Sequence, residues 1–162
     1  MKKIGTWLLL AAALAGFGVL PVKGTDAAEL LPARLLTVEA EQGVFILKTD
    51  NDAEGRGPTM ELAMADLKRT ASGTLFLSTV EHVVVTQNAW YQMPKLAVSD
   101  TLRPAAKLYL AEKTPDAADA QAFLAAHPGE LTLSRARALL LMGQRVVPPK
   151  LTEQNGRLHL GA

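Results

Sequence analysis

Apolar residues along this chain fall in short runs separated by turn chemistry, and the most β-prone run is Leu75–Thr86. Its aliphatic, aromatic and β-branched residues suit a pleated, packed surface. Val83, Val84 and Val85 are consecutive rather than alternating, which predicts a strand covered on both faces, bounded by Gly73 and Gln87-Asn88. Upstream, Leu35–Ala40 and Val44–Lys48 flank Glu41-Gln42-Gly43, a pattern that predicts an antiparallel hairpin. Asp50–Gly57 reads as a polar loop. With Pro58 placed in the first turn, residues Met60, Ala63, Met64 and Leu67 fall at i, i+3, i+4 and i+7 and predict a helix ending near Ala71-Ser72-Gly73.

Beyond the organising run, Asn88–Met93 can start a helix that Pro94 interrupts. Lys107–Ala111 predicts a further strand. Thr114, Pro115 and Asp116 form a helix start, with Thr114 as cap, and His127-Pro128-Gly129 a stop. A last helix, capped by Thr132 or Ser134, is expected to end at Gly143. Val147-Pro148-Pro149 reads as an extended connector, and the tail after Leu151 as half a hairpin without a partner. The sum is an α+β fold: a single domain with a sheet of about four strands, mostly antiparallel or mixed, packed with helices.

The first residues add a compartment. Lys2 and Lys3 precede an apolar stretch from Ile4 to Leu20, ended by Pro21. This is the pattern of a secretory signal over residues 1–24, with cleavage after Gly24 or Ala27. The other reading is an uncleaved anchor, since Ile4–Val22 would span about 28 Å as a helix. Either way the remainder is expected outside the cytoplasm. Without Lys2, Lys3 and Lys23 the chain carries 14 basic against 16 acidic residues, which gives no footprint for nucleic acid. Cysteine is absent, which removes disulfides, thiolate chemistry and an acylated cysteine.

Candidate chemistry is sparse. Asp50, Asp52, Glu54 and Glu61, with Gly55, occupy positions 1, 3, 5, 12 and 6 of a near EF-hand pattern that could hold calcium. Glu at position 5, the Gly57-Pro58 pair and a preceding strand all count against it; the competing reading is a solvated acidic loop. Gly55-Arg56-Gly57 before a helix could cradle an anion, but a flexible turn is the better reading. His82, His127 and His159 match no zinc spacing, and no Gly-x-Ser-x-Gly elbow is present. No catalytic, cofactor or metal residue is therefore assigned.

The order of these pieces resembles the N-terminal domain of the Ger(x)C family, the C-subunit lipoproteins of bacterial spore germinant receptors. The resemblance covers residues 27–126 and extends more weakly to the end. It rests on Ala28-Glu29-Leu30, Thr59-x-Glu61-x-Ala63, Leu75–Thr79 followed by Val83–Val85, Asp100–Arg103 with Leu108–Ala111, and Val147-Pro148 with Leu158–Gly161. The family's lipobox cysteine is missing, and Ser78-Thr79 stands where the family tends to have Gly-His. The resemblance implies a non-enzymatic subunit that supports germinant sensing beside membrane-embedded receptor subunits, at the spore inner membrane. It also implies that residues 127–162, a helix and an extended tail, open a truncated second domain. Without an acyl chain, membrane residence would fall to Ile4–Val22 or to protein contacts. The turn at Asp100 and Arg103 and the exposed side of Trp90-Tyr91 are the expected contact surfaces, with Trp90 itself expected in the core. The alternative is a small exported calcium- or ligand-binding module; a third reading is an exported hydrolase.

Overall fold

A computed structural model describes residues 30–161, so the targeting segment expected over residues 1–24 lies outside the described residues. The strands are β1 (Leu30–Pro32), β2 (Leu35–Glu41), β3 (Val44–Thr49), β4 (Glu54–Gly57), β5 (Thr74–Phe76), β6 (His82–Thr86), β7 (Lys107–Ala111), β8 (Lys150–Gln154) and β9 (Arg157–Gly161). The helices are α1 (Met60–Thr70), α2 (Met93–Ala97), α3 (Ala117–Ala126) and α4 (Leu133–Leu141), with 3₁₀ turns at Leu77–Thr79 and Gln87–Gln92.

The fold is α+β, and its mixed sheet has seven strands, more than the four expected, in the order β4-β3-β2-β6-β7-β8-β9. β2, β6, β7 and β8 run parallel in the middle, and antiparallel hairpins close both sides. β1 and β5 form a separate two-stranded parallel ribbon. Leu36, Val38, Leu47, Val83, Val85 and Leu108 pack on one face, with Ala63 and Leu67 of α1, Leu96 of α2 and Leu133 of α4. Leu35, Val84, Tyr109 and Leu151 pack on the other face, with Ala120 and Leu124 of α3. Every residue of β6 is buried, so the consecutive valines do serve two cores.

The expected hairpin forms between β2 and β3, turning at Gln42 and Gly43, both with positive φ. The helix expected from Pro58 is α1, but Pro58 lies before its cap rather than in its first turn: the Leu62 N–H donates to Thr59 Oγ1 at 3.2 Å, and Met60, Ala63 and Leu67 are buried. Pro94 sits in the first turn of α2, so the segment from Gln87 breaks where proline was expected to break it.

Four further expectations are corrected. The organising run is not one strand. Thr79 Oγ1 donates to the carbonyl oxygens of Phe76 at 2.6 Å and Ala33 at 2.9 Å, and this turn separates β5 from β6. The polar loop Asp50–Gly57 contains a strand, because β4 pairs with β3 from Glu54 to Gly57. The cap of α3 is Asp116, which accepts from the Asp119 N–H at 3.0 Å, so Thr114 and Pro115 lie outside the helix. The tail has a partner: β8 and β9 form a complete hairpin through Asn155 and Gly156, both at positive φ, and β8 pairs with β7. Residues beyond Ala126 thus supply α4 to one core and extend the main sheet by two strands.

β4 is shaped by α1. An added Cβ on Gly55 would lie 2.2 Å from the Leu67 nitrogen, and one on Gly57 2.5 Å from the Ala63 nitrogen. Side chains of α1 also satisfy β4: Arg56 N–H donates to Asp66 Oδ2 at 2.9 Å, and Thr70 Oγ1 donates to the Glu54 carbonyl. The helix covers what would be an open sheet edge.

Candidate functional site

The four acids of the calcium-like spacing do four separate jobs. Asp50 Oδ1 accepts from the backbone N–H groups of Arg34 at 2.9 Å and Leu35 at 3.1 Å and so fixes the start of β2. Asp52 sits at φ +61° in the turn after β3. Glu54 pairs with Arg56 and Lys48, and the Arg56 guanidinium is the main reason its carboxyl lies below the usual range. Glu61 stands in the first turn of α1, 3.3 Å from Lys95 Nζ. Among the described residues, no three His, Asp or Glu side chains converge as a cation site. The spacing fails because an EF-hand loop needs a helix before it, whereas β3 leads into this loop and turns Asp50 toward β2.

Asp52 and Glu54 do border an open groove of about 630 Å³, with Glu39, Lys48, Lys113 and Asp116. Across it, Thr114 Oγ1 donates to Glu39 Oε2 at 2.6 Å, which ties the β7–α3 connection to β2. Gly55-Arg56-Gly57 is no anion cradle, because its glycines face the backbone of α1 and the Arg56 N–H is already spent on Asp66.

The histidines lie on different elements. His127 is exposed and rests against Phe123, ring centroids 5.1 Å apart, and His159 is exposed on β9. His82 is buried at the start of β6, only 4% exposed, with Nδ1 3.2 Å from the Tyr109 hydroxyl. That hydroxyl also accepts from the Gly129 N–H at 3.0 Å, and with its own proton directed at His82 Nδ1 the imidazole proton would lie on Nε2. His82 Nε2 is buried and has no partner among the described residues. A Cβ on Gly129 would be tightly placed, 3.0 Å from Tyr109 Cε1 and 3.1 Å from Pro149 Cγ. Sequence reasoning placed His82 on the strand but missed Tyr109 and Gly129. Leu-Tyr-Leu in a buried strand reads as purely apolar, although a buried tyrosine needs a partner for its hydroxyl.

Burial holds the His82 imidazole below its ordinary pKa, as does Lys107, while Glu81 and Asp50 oppose the shift. The unfolded chain therefore binds this proton more readily than the folded one. Its effect on stability is absent well above pH 6.5, and stability is lost as pH falls from about 6.5 toward the lowered folded value. His82→Leu combined with Tyr109→Phe removes the titrating group and the hydroxyl that would lose its acceptor. The expected result is a flatter acid limb in a plot of melting temperature against pH. An unchanged slope would show that His82 is not the group being titrated.

The expected contact surfaces are also located. Tyr91 is 65% exposed and lies against the ring of buried Phe45, centroids 6.1 Å apart. Trp90, expected in the core, is only partly buried and packs against the core's edge. Leu62 of α1 is exposed beside Gly57, the strand partner of Phe45, so it flanks the same apolar site. Asp100 and Arg103 are exposed in the loop between α2 and β7, where the Arg103 carbonyl accepts from the Ala106 N–H at 3.0 Å. Among the described residues, no helix is long and apolar enough to cross a membrane. No family model matches the chain, and no curated protein or solved structure matches it significantly.

Proposed function

We propose that the chain is a non-enzymatic exported subunit that acts by protein contact in a membrane-associated complex, of the kind that supports germinant sensing in spores. The observation that carries this is the surface around Tyr91. A large amphipathic ring stands mostly free of the fold while its base rests on Phe45, so it is held in place without being consumed by the core. Tyrosines of this kind contribute contact area at low entropic cost and dominate many interfaces. The resemblance to the germinant-receptor C-subunit supplies the identity of the partners: the membrane-embedded receptor subunits. The N-terminal apolar segment, residues 4–20, supplies the route to the membrane.

The test is recovery of partners from sporulating cells with the full chain as bait. Receptor subunits are expected with the unmodified chain and at least about tenfold less with Tyr91→Ser, the loss typical of a central aromatic anchor. Because Tyr91 is exposed, its melting temperature should hardly change. Recovery of no receptor subunit, together with normal germination of a deletion strain, would remove the reading.

A further inference from the structure

We infer that β9 is an interface between two copies of this chain, which pair antiparallel about His159 and run the main sheet of one copy into that of the other. β4 and β9 are the two edges of that sheet. The β4 edge is closed, because Asp66 and Thr70 of α1 take up the Arg56 N–H and the Glu54 carbonyl. β9 has no such cover among the described residues, and its one strand partner is β8. Nor does it carry the devices that usually blunt an edge. Arg157–Gly161 contains no proline, lysine or acid, and its five pairs with β8 run without a bulge.

The hairpin fixes which groups are free. Asn155 and Gly156, both at positive φ, join the Gln154–Arg157 pair as a two-residue turn, whose flanking pair exchanges both main-chain bonds. Alternation then turns the N–H and C=O of Arg157 and His159 toward β8, and those of Leu158 and Leu160 outward. The side chains of Leu158 and Leu160 share one face. Both are half-buried, with Phe123, at the border of the core formed by Val84, Tyr109 and Leu124. Among the described residues α3 is the helix on that face, whereas α1, α2 and α4 pack on the other. What completes this border is therefore an extended strand that offers main-chain groups to pair and apolar side chains at alternate positions. β9 of a second copy is such a strand. With His159 set opposite His159 of the second copy, Leu158 of each lies opposite Leu160 of the other. These two leucine pairs are of the bonded type and the histidine pair is not, as the alternation requires, and the leucines meet on one face. Arg157 falls opposite Gly161, so no like formal charges oppose each other. The arrangement closes on itself as a two-fold dimer. It does not depend on the Tyr91 contact, because four strands separate β9 from β3, which carries Phe45.

The chain has no cysteine, so single substitutions report position directly. Across a non-bonded antiparallel pair the Cα atoms lie about 4.5 Å apart, within reach of a disulfide. His159→Cys in the full chain should therefore give a disulfide-linked dimer under mild oxidation. Arg157→Cys is the control: its two copies would lie four residues out of register, roughly 14 Å apart along the strands, and should cross-link at least about tenfold more slowly. Leu160→Pro deletes an outward N–H and leaves the bonds to β8 in place, so it should lower the yield at 159 by about tenfold with little change in melting temperature. Sedimentation of the unmodified chain in detergent gives a reading free of substitution, and the mass should rise from one chain toward two with concentration. Anchoring in a bilayer would crowd the copies together without favouring either position. Equal cross-linking at 157 and 159, a yield at 159 unmoved by Leu160→Pro, or a single-chain mass at every concentration would each overturn the inference.

Discussion

Gly55→Ala is expected to destabilise the fold by more than about 3 kcal/mol, at the upper end of what overpacking costs. The new Cβ would meet the Leu67 nitrogen at 2.2 Å, the Ala63 oxygen at 2.4 Å and the Leu67 Cα at 2.5 Å, all of them α1 backbone. A flexible side chain could swing aside, but a helix backbone has to move as a body. Shifting α1 pulls Met60, Ala63 and Leu67 from the core and breaks the Asp66 and Thr70 bonds that cover the β4 edge. The melting temperature should fall by roughly 10 °C. Gly43→Ala is the matched control. Its Cβ would meet nothing within 4 Å, so only the positive φ of +82° is strained, at about 1–2 kcal/mol. Equal behaviour of the two variants would show that α1 and β4 do not approach as closely as described.

Val84→Asp is expected to cost several kcal/mol, about 4 or more. Val84 is fully buried in the core facing α3, among Leu35, Tyr109, Ala120 and Leu124. The carboxylate would lose the packing of the isopropyl group and its own hydration. Val44→Asp places the same change at a partly exposed position on β3 and should shift stability by less than about 1 kcal/mol. Urea titration of the pair checks the difference. A midpoint for Val84→Asp close to that of the unmodified protein would place Val84 at the surface and break the central position of β6.

Some of this architecture is legible in the residues because its causes are local. Thr59 followed by Met60, Ala63 and Leu67 carries both the cap and the buried stripe of α1. Gln42-Gly43 between two apolar runs carries the β2–β3 turn. What was missed depends on distant partners. Glu-Gly-Arg-Gly has no β-propensity; it becomes β4 because two glycines let α1 approach and β3 offers an edge. The break inside Leu75–Thr86 comes from Thr79 bonding to Ala33, 46 residues away in sequence. The Asn155-Gly156 turn is readable, but its pairing through Leu110 with Lys150 and Ala111 with Leu151 is not, since nothing near the tail names β7 as its neighbour. The candidate chemistry follows the same rule. Acid spacing offered calcium as the weaker reading beside a solvated acidic loop, and three of the four carboxylates have nearer uses: Asp50 on β2, Glu54 on β4 and Glu61 on α1. The Gly129–Tyr109–His82 chain joins three segments that only the folded sheet brings together.

The contact proposed for the Tyr91 surface is read out by site-directed photocrosslinking in sporulating cells. A photoreactive residue at position 91 should capture a membrane-embedded receptor subunit, and the same residue at His127, exposed at the end of α3, should not. Capture at neither position, or equal capture at both, would contradict the claim.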